Sequence, residues 1–471
     1  MRLSLFFVWA GFFALPLMAQ KGYQISVSIP DFEGEEAYLA YHFGTKQYIR
    51  DTVPAKDGKF VFASEDKTLE GGIYLVVLPP NNQFFEIMVS ENQQKFSIIN
   101  KKEDLVQYAR FEGSPDNDLF YTYLRYLGQQ RKKSEPFQTQ LNDSTANENA
   151  KAVAQKELDA IGEEVKAYQE RLIRDHPSSL PAKIIQLSQR VELPDSLNRL
   201  PDTIRQREQL HYYRQHFFDY TDLSDARVVR TPLLEPKLED YLERLTVRHP
   251  DSIIVAIDAI MSLVKDDEVY KFCASHFLNK YAKSKYMGMD AVYAHIALKY
   301  YDKGKAFWMK EEDIARIVNN ARKLVPLLIG NVAPDMSLKT LDGKPIRLHE
   351  VKANYTIIYF WDPDCGICKK AAKVLVEVYE KYKPYNVEIF GICNKTYEEL
   401  NKCSESVAEK NMTWINTADP YGQGQAHAKY DIRANPTLFI LDQDKKIIYK
   451  QIGADQIDEI LTRELNLAQE E

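Results

Sequence analysis

The chain has 471 residues, a net charge of −7, 45% hydrophobic and 12% aromatic residues. That composition supports packed cores for about three domains, at ~150 residues each, and excludes a disordered chain. The acidic balance and the lack of a basic block exclude a nucleic-acid binder, and five cysteines are too few for a disulfide-built scaffold.

Residues 1–19 read as a signal peptide. Arg2 supplies the basic start, residues 3–18 are apolar and uncharged, and Ala19 stands at a cleavage edge, although Leu17 departs from the usual small residue. The alternative is an uncleaved N-terminal anchor. No cysteine lies near the edge to carry a lipid. Export to the periplasm or cell envelope follows as an expectation.

Residues 20–113 predict an all-β, sandwich-like domain. Ile25, Val27 and Ile29 alternate with polar residues, and short β-prone runs follow at 38–43, 48–53, 59–62, 73–78, 84–89 and 95–99. Asp57-Gly58 predicts a hairpin turn and Pro79-Pro80-Asn81-Asn82 another break. Residues 114–325 predict an all-α domain. Val153, Leu158, Ile161, Val165, Tyr168, Leu172 and Ile173 recur at near-helical spacing, and 138–149 read as a polar loop. His176-Pro177 and His249-Pro250 echo each other, either as a helical repeat or as two ordinary helix breaks.

From residue 326 strands alternate with helices, giving a mixed sheet covered by helices. Within it, Cys365-Gly366-Ile367-Cys368 follows an apolar run, Tyr355–Trp361, and precedes a helix-compatible stretch. Two intervening residues let the sulfurs meet at a helix start. There, unpaired N–H groups favour a thiolate at Cys365, which attacks a disulfide while Cys368 resolves the mixed disulfide. Cys273, Cys393 and Cys403 read as scattered, unpaired thiols, with a Cys393–Cys403 bridge as the less favoured possibility.

Residues 326–471 resemble the TlpA/ResA-like thiol–disulfide oxidoreductases of the thioredoxin superfamily. The resemblance rests on Ala333-Pro334-Asp335, on Phe360-Trp361 before the cysteine pair, on Asn435-Pro436-Thr437, and on Leu438-Phe439-Ile440-Leu441-Asp442. It implies a C-terminal α/β thioredoxin-like domain behind β-rich and helical extensions. It also implies roles: Cys365 as nucleophile, Cys368 as resolving thiol, Trp361 beside the site and in contact with substrate, and Pro436 as a substrate-binding cis-proline. Asn435 would then offer backbone groups to an extended substrate.

Two departures stand out. Tyr359 occupies a place often held by a buried acid, and Ala371 one often held by Glu. Proton transfer to Cys368 would then fall to Asp362, Asp364 or water, and the charge of Asp364 would oppose the helix-end effect. Asp362 also stands where peroxiredoxins usually carry Thr or Ser. No metal-ligand spacing or cofactor motif is present. The expected function is dithiol exchange with disulfide- or thiol-containing protein substrates, as reductant or isomerase, with electrons from a membrane-bound donor. The alternative is a cell-envelope binding protein whose first 325 residues recognise a partner.

Overall fold

The structure, a computed structural model, describes residues 22–302 and 304–467. The expected export segment at 1–19 lies outside the described residues. The chain forms two compact units, residues 22–245 with 263–269, and residues 246–262 with 270–467.

The first unit begins with β1 (Tyr23–Ser28), β2 (Glu36–Phe43), β3 (Lys46–Pro54), β4 (Lys59–Ser64), β5 (Gly72–Leu78), β6 (Gln83–Val89), β7 (Lys95–Ile99) and β8 (Arg110–Glu112). They make two four-stranded sheets, ordered β4-β1-β7-β8 and β3-β2-β5-β6. Alternate residues of each turn inward, so Ile25, Val27, Phe60 and Phe62 share one core with Leu39, Val76 and Ile87. This is the all-β sandwich.

The expected hairpin turn at Asp57-Gly58 is present, closed by reciprocal backbone bonds between Lys56 and Lys59. Its two residues have φ of 51° and 68°, but β3 and β4 enter different sheets. β4 pairs instead with β1, Val27 opposite Phe60 and Ile25 opposite Phe62, because both phenylalanines face the core. Gly58 is required there, since an added Cβ would lie 2.1 Å from the Ile29 carbonyl.

Helices follow: α1 (Pro115–Asn142), α2 (Glu148–Asp175), α3 (Leu180–Ser188), α4 (Asp195–Asn198), α5 (Asp202–His216) and α6 (Leu234–Glu243). The fully buried Asn117 fastens α1 to the sandwich, since its amide accepts from Met88 N and donates to Met88 O, both at 2.7 Å. Tyr126 and Tyr168 stack between α1 and α2 with ring centroids 4.1 Å apart. The loop expected at 138–149 is shorter, because α1 continues through Asn142. Its last turn is polar and mostly exposed, so it leaves no apolar stripe to read.

The second unit holds most of α7 (Pro250–Leu263) and α8 (Asp267–Ala282), then α9 (Asp290–Ile296) and α10 (Glu311–Leu324). A seven-stranded sheet follows: β9 (Ser337–Thr340), β10 (Pro345–Arg347), β11 (Tyr355–Trp361), β12 (Val387–Cys393), β13 (Ile415–Ala418), β14 (Thr437–Leu441) and β15 (Ile447–Lys450). The order is β10-β9-β13-β12-β11-β14-β15, with β13, β12 and β11 parallel. Its helices are α11 (Gly366–Tyr382), α12 (Leu400–Glu409), α13 (Ala426–Lys429) and α14 (Ile457–Glu464). β11 is buried on both faces. Ile357, Tyr359 and Trp361 join the core under α11 and α14, while Ile358 and Phe360 join the opposite one. This is a thioredoxin-like α/β domain. Lys450, 2% exposed, ion-pairs with Asp290 and donates to Leu327 O at 2.6 Å, tying β15 to the helices before it.

Candidate active site

Chain register places Cys365 and Cys368 where β11 ends and α11 begins. α11 forms because Cys368, Ala371, Ala372, Leu375, Val378, Tyr379 and Tyr382 recur every three or four residues and all are buried. Cys365 is its N-cap, and Sγ accepts from Cys368 N at 3.2 Å, the part a serine oxygen usually plays. The Cys365 sulfur therefore sits on the helix's unpaired N–H groups and its positive end.

The two thiols differ in access. Cys365 is half-buried, at the edge of the core, while Cys368 is 1% exposed. Burial, followed by the hydrogen bond with Cys365, pushes the Cys368 thiol up to about 12. Gly366 has open space around it, and Ile367 projects from the same turn at 68% exposure. Cys365 Sγ donates to Asn435 O at 3.6 Å, across a cis Asn435–Pro436 bond. A cleft of about 480 Å³ flanks this segment, lined by Tyr281, Tyr286, Tyr293, Arg433, Ala434 and Thr437, among others.

The structure separates the two aspartates. Asp364 Oδ2 pairs with Lys395 Nζ at 2.8 Å and Lys402 Nζ at 3.2 Å, and these ammoniums hold its carboxyl below the usual carboxylate range. Asp362 pairs with Lys395 at 3.1 Å, and its backbone hydrogen-bonds the Cys368 thiol. The expectation that Asp364 acts as a free negative charge beside Cys365 is thereby corrected, because two lysines distant in sequence offset it. Lys395 and Lys402 were missed in the sequence; their spacing from Asp364 carries no signal.

Trp361 turns into the core, 2% exposed and stacked 6.2 Å from Tyr359. It backs the site and presents no face to a substrate, which corrects the expectation of substrate contact. Tyr359 donates to Cys368 O at 2.9 Å, so it steadies the first turn of α11. Burial, then the nearby cysteines, holds its phenol above its ordinary range, so it stays a donor where an acid would exchange protons.

Two of the remaining three cysteines are also corrected. Cys393 and Cys403 form a disulfide with sulfurs 2.09 Å apart, where unpaired thiols had been expected. Cys273 is free and buried, and burial pushes its thiol up to about 12. Among the described residues, no group of three or more His, Cys, Asp or Glu side chains could hold a metal ion, and no helix is long and apolar enough to cross a membrane.

Residues 329–450 match the AhpC/TSA family, residues 145–323 a domain of unknown function (DUF5106), and residues 23–120 another domain of unknown function (DUF4369). Among curated proteins, the thiol-disulfide oxidoreductase ResA of Bacillus thuringiensis (strain Al Hakam) is 29% identical over 125 residues, covering 26% of this chain and 70% of that protein. The thioredoxin-like protein YneN of Bacillus subtilis (strain 168) is 26% identical over 124 residues, covering 26% and 71%. Among solved structures, a domain of a possible thiol-disulfide isomerase from Cytophaga hutchinsonii ATCC 33406 is 30% identical, with a TM-score of 0.28, covering 30% of this chain and 95% of that one.

Proposed function

We propose that this chain, a multi-domain protein whose C-terminal part is a thioredoxin-like thiol–disulfide oxidoreductase domain, is exported and exchanges disulfides with protein substrates through Cys365 and Cys368. The carrying observation is the asymmetry of the pair. Cys365 is accessible on a helix N-terminus, and Cys368 is sealed behind it with its proton held.

The chemistry follows from that arrangement. Cys365 thiolate attacks one sulfur of a substrate disulfide, forming a mixed disulfide and releasing the other substrate sulfur as a thiolate. Cys368 then gives up its proton and attacks Cys365 Sγ. The Cys365–Cys368 disulfide forms, and the second substrate thiol leaves. The substrate gains two electrons and two protons, and the dithiol loses them. Asp362, the carboxylate next to Cys368, takes the proton directly or through water, and Asp364 stays with its lysines. An extended substrate segment pairs with the backbone of Asn435 before Pro436, beside the sulfur.

The direction of transfer is that of a reductant or isomerase, fed by a membrane-bound donor after export to the periplasm or cell envelope. We divide the mature chain into 20–113, 114–325 and 326–471. The family matches at 23–120, 145–323 and 329–450 follow the same order of three parts, although the two compact units divide the helical part at 245. The test is capture of mixed disulfides with Cys368→Ser in the cell envelope. Substrate proteins should accumulate on Cys365 and be released by reductant. Capture no greater than with Cys365→Ser would refute the reading.

A further inference from the structure

The segment 394–402 carries two lysines and is closed by one covalent bond. Cys393 ends β12 and Cys403 lies in α12, with Cα atoms 6.2 Å apart and both side chains buried. At the first end, register sets Cys393 opposite Trp361, and Asn394 N–H continues the ladder to Trp361 O at 2.8 Å. Lys395 therefore leaves the strand beside Asp362, the residue after Trp361. At the other end, Lys402 immediately precedes Cys403 on α12. Between them the chain doubles back through a helical turn at Tyr397–Glu399.

The two ammoniums converge on the loop that leads into Cys365. Lys395 bridges Asp362 and Asp364, and Lys402 reaches Asp364 while Glu399 holds it from the other side at 2.6 Å. Lys395 does this with a side chain only 10% exposed, so its place is built rather than incidental. Around the dithiol, β11 brings Tyr359, the loop brings Asp362 and Asp364, α11 brings Cys368, and the clamped segment brings Lys395, Glu399 and Lys402. An unpaired carboxylate next to a thiol disfavours its anion, and a paired ammonium offsets that.

We propose that the Cys393–Cys403 bond is a positioning clamp for the dithiol, holding the roots of Lys395 and Lys402 so that Asp364 stays neutralised beside the reacting sulfur. Cys393 and Cys403 are positioning residues in this scheme and exchange no electrons with substrate. The inference rests on the oxidoreductase reading above for its meaning, and on geometry for its content.

The test uses the full chain and reads the rate at which iodoacetamide modifies Cys365 across pH, with the site identified by peptide mass. Lys402→Met should slow modification about two- to threefold on the rising limb, since Lys395 still holds Asp364. The double variant Cys393→Ala/Cys403→Ala should shift the profile in the same sense. Adding Lys402→Met to it should then cost clearly less than it does in the parent, because coupled changes do not add. A folded double variant whose profile superimposes on that of the parent overturns the clamp. Should the double variant not fold, Asp364→Asn decides. Lys402→Met should have no effect in that background, and a loss as large as in the parent overturns the inference. Reduction of a small aromatic disulfide is measured separately. Its absence in the parent refutes the oxidoreductase reading, whatever the alkylation profile shows.

Discussion

The buried Cys368 thiol is one of the groups whose ionisation lowers the protein's stability at alkaline pH. Cys368 sits at about 12 where an ordinary thiol sits at 9.0, and burial is the largest cause. The folded pKa is raised, so the unfolded chain ionises first. The stabilisation is complete below pH 9 and is lost as pH climbs from 9 towards 12. The raised value corresponds to a few kcal/mol at most, of which about 1 kcal/mol is lost by pH 10. The comparison is Cys365→Ala against Cys365→Ala/Cys368→Ala, so no disulfide forms within the pair and burial still acts. Urea unfolding followed by tryptophan fluorescence is suitable, because Trp361 and Trp414 share a core with Cys368. The free-energy difference between the two variants should move by about 1 kcal/mol from pH 7.5 to 10, in favour of the variant lacking the thiol. Other ionising groups cancel in that difference. Curves that stay parallel would show that burial does not hold the Cys368 proton, and the asymmetry behind the proposed mechanism would fail.

Two further outcomes are expected. Asn117→Ala leaves the buried Met88 N–H and C=O without their side-chain partner, so it should cost about 2–4 kcal/mol, seen as a lower midpoint in urea. Tyr286→Ala opens one wall of the cleft beside Ala434 and Thr437. It should raise KM for a protein substrate severalfold and leave reduction of a small disulfide unchanged; equal effects on both would remove the cleft from substrate contact.

The parts of the fold that follow a single period are legible from sequence. β11 and β12 read as continuous apolar runs because both faces of the sheet are covered, and α11 reads from its three-and-four spacing. β13 does not, since Asn416 and Thr417 are polar. Thr417 is nonetheless fully buried because its hydroxyl donates to Gly391 O at 2.8 Å. α13 is one turn long and leaves no pattern. The dithiol is legible because its chemistry is local to four residues. The clamp around it is not. Cys393 and Cys403 approach only because α12 folds back on β12, and Lys402 lies 38 residues from the carboxylate it neutralises. Spacing along the chain cannot distinguish such a pairing from two separate buried thiols.

Ile367 has a consequence for which partners can reach the sulfur. It projects between the two cysteines, and Gly366 beside it carries no side chain to fence the approach. A folded protein can bring a disulfide up to this promontory without entering a crevice. The first thing it touches is a bare hydrocarbon. Clients that present an oily strip alongside their own bridge gain contact there.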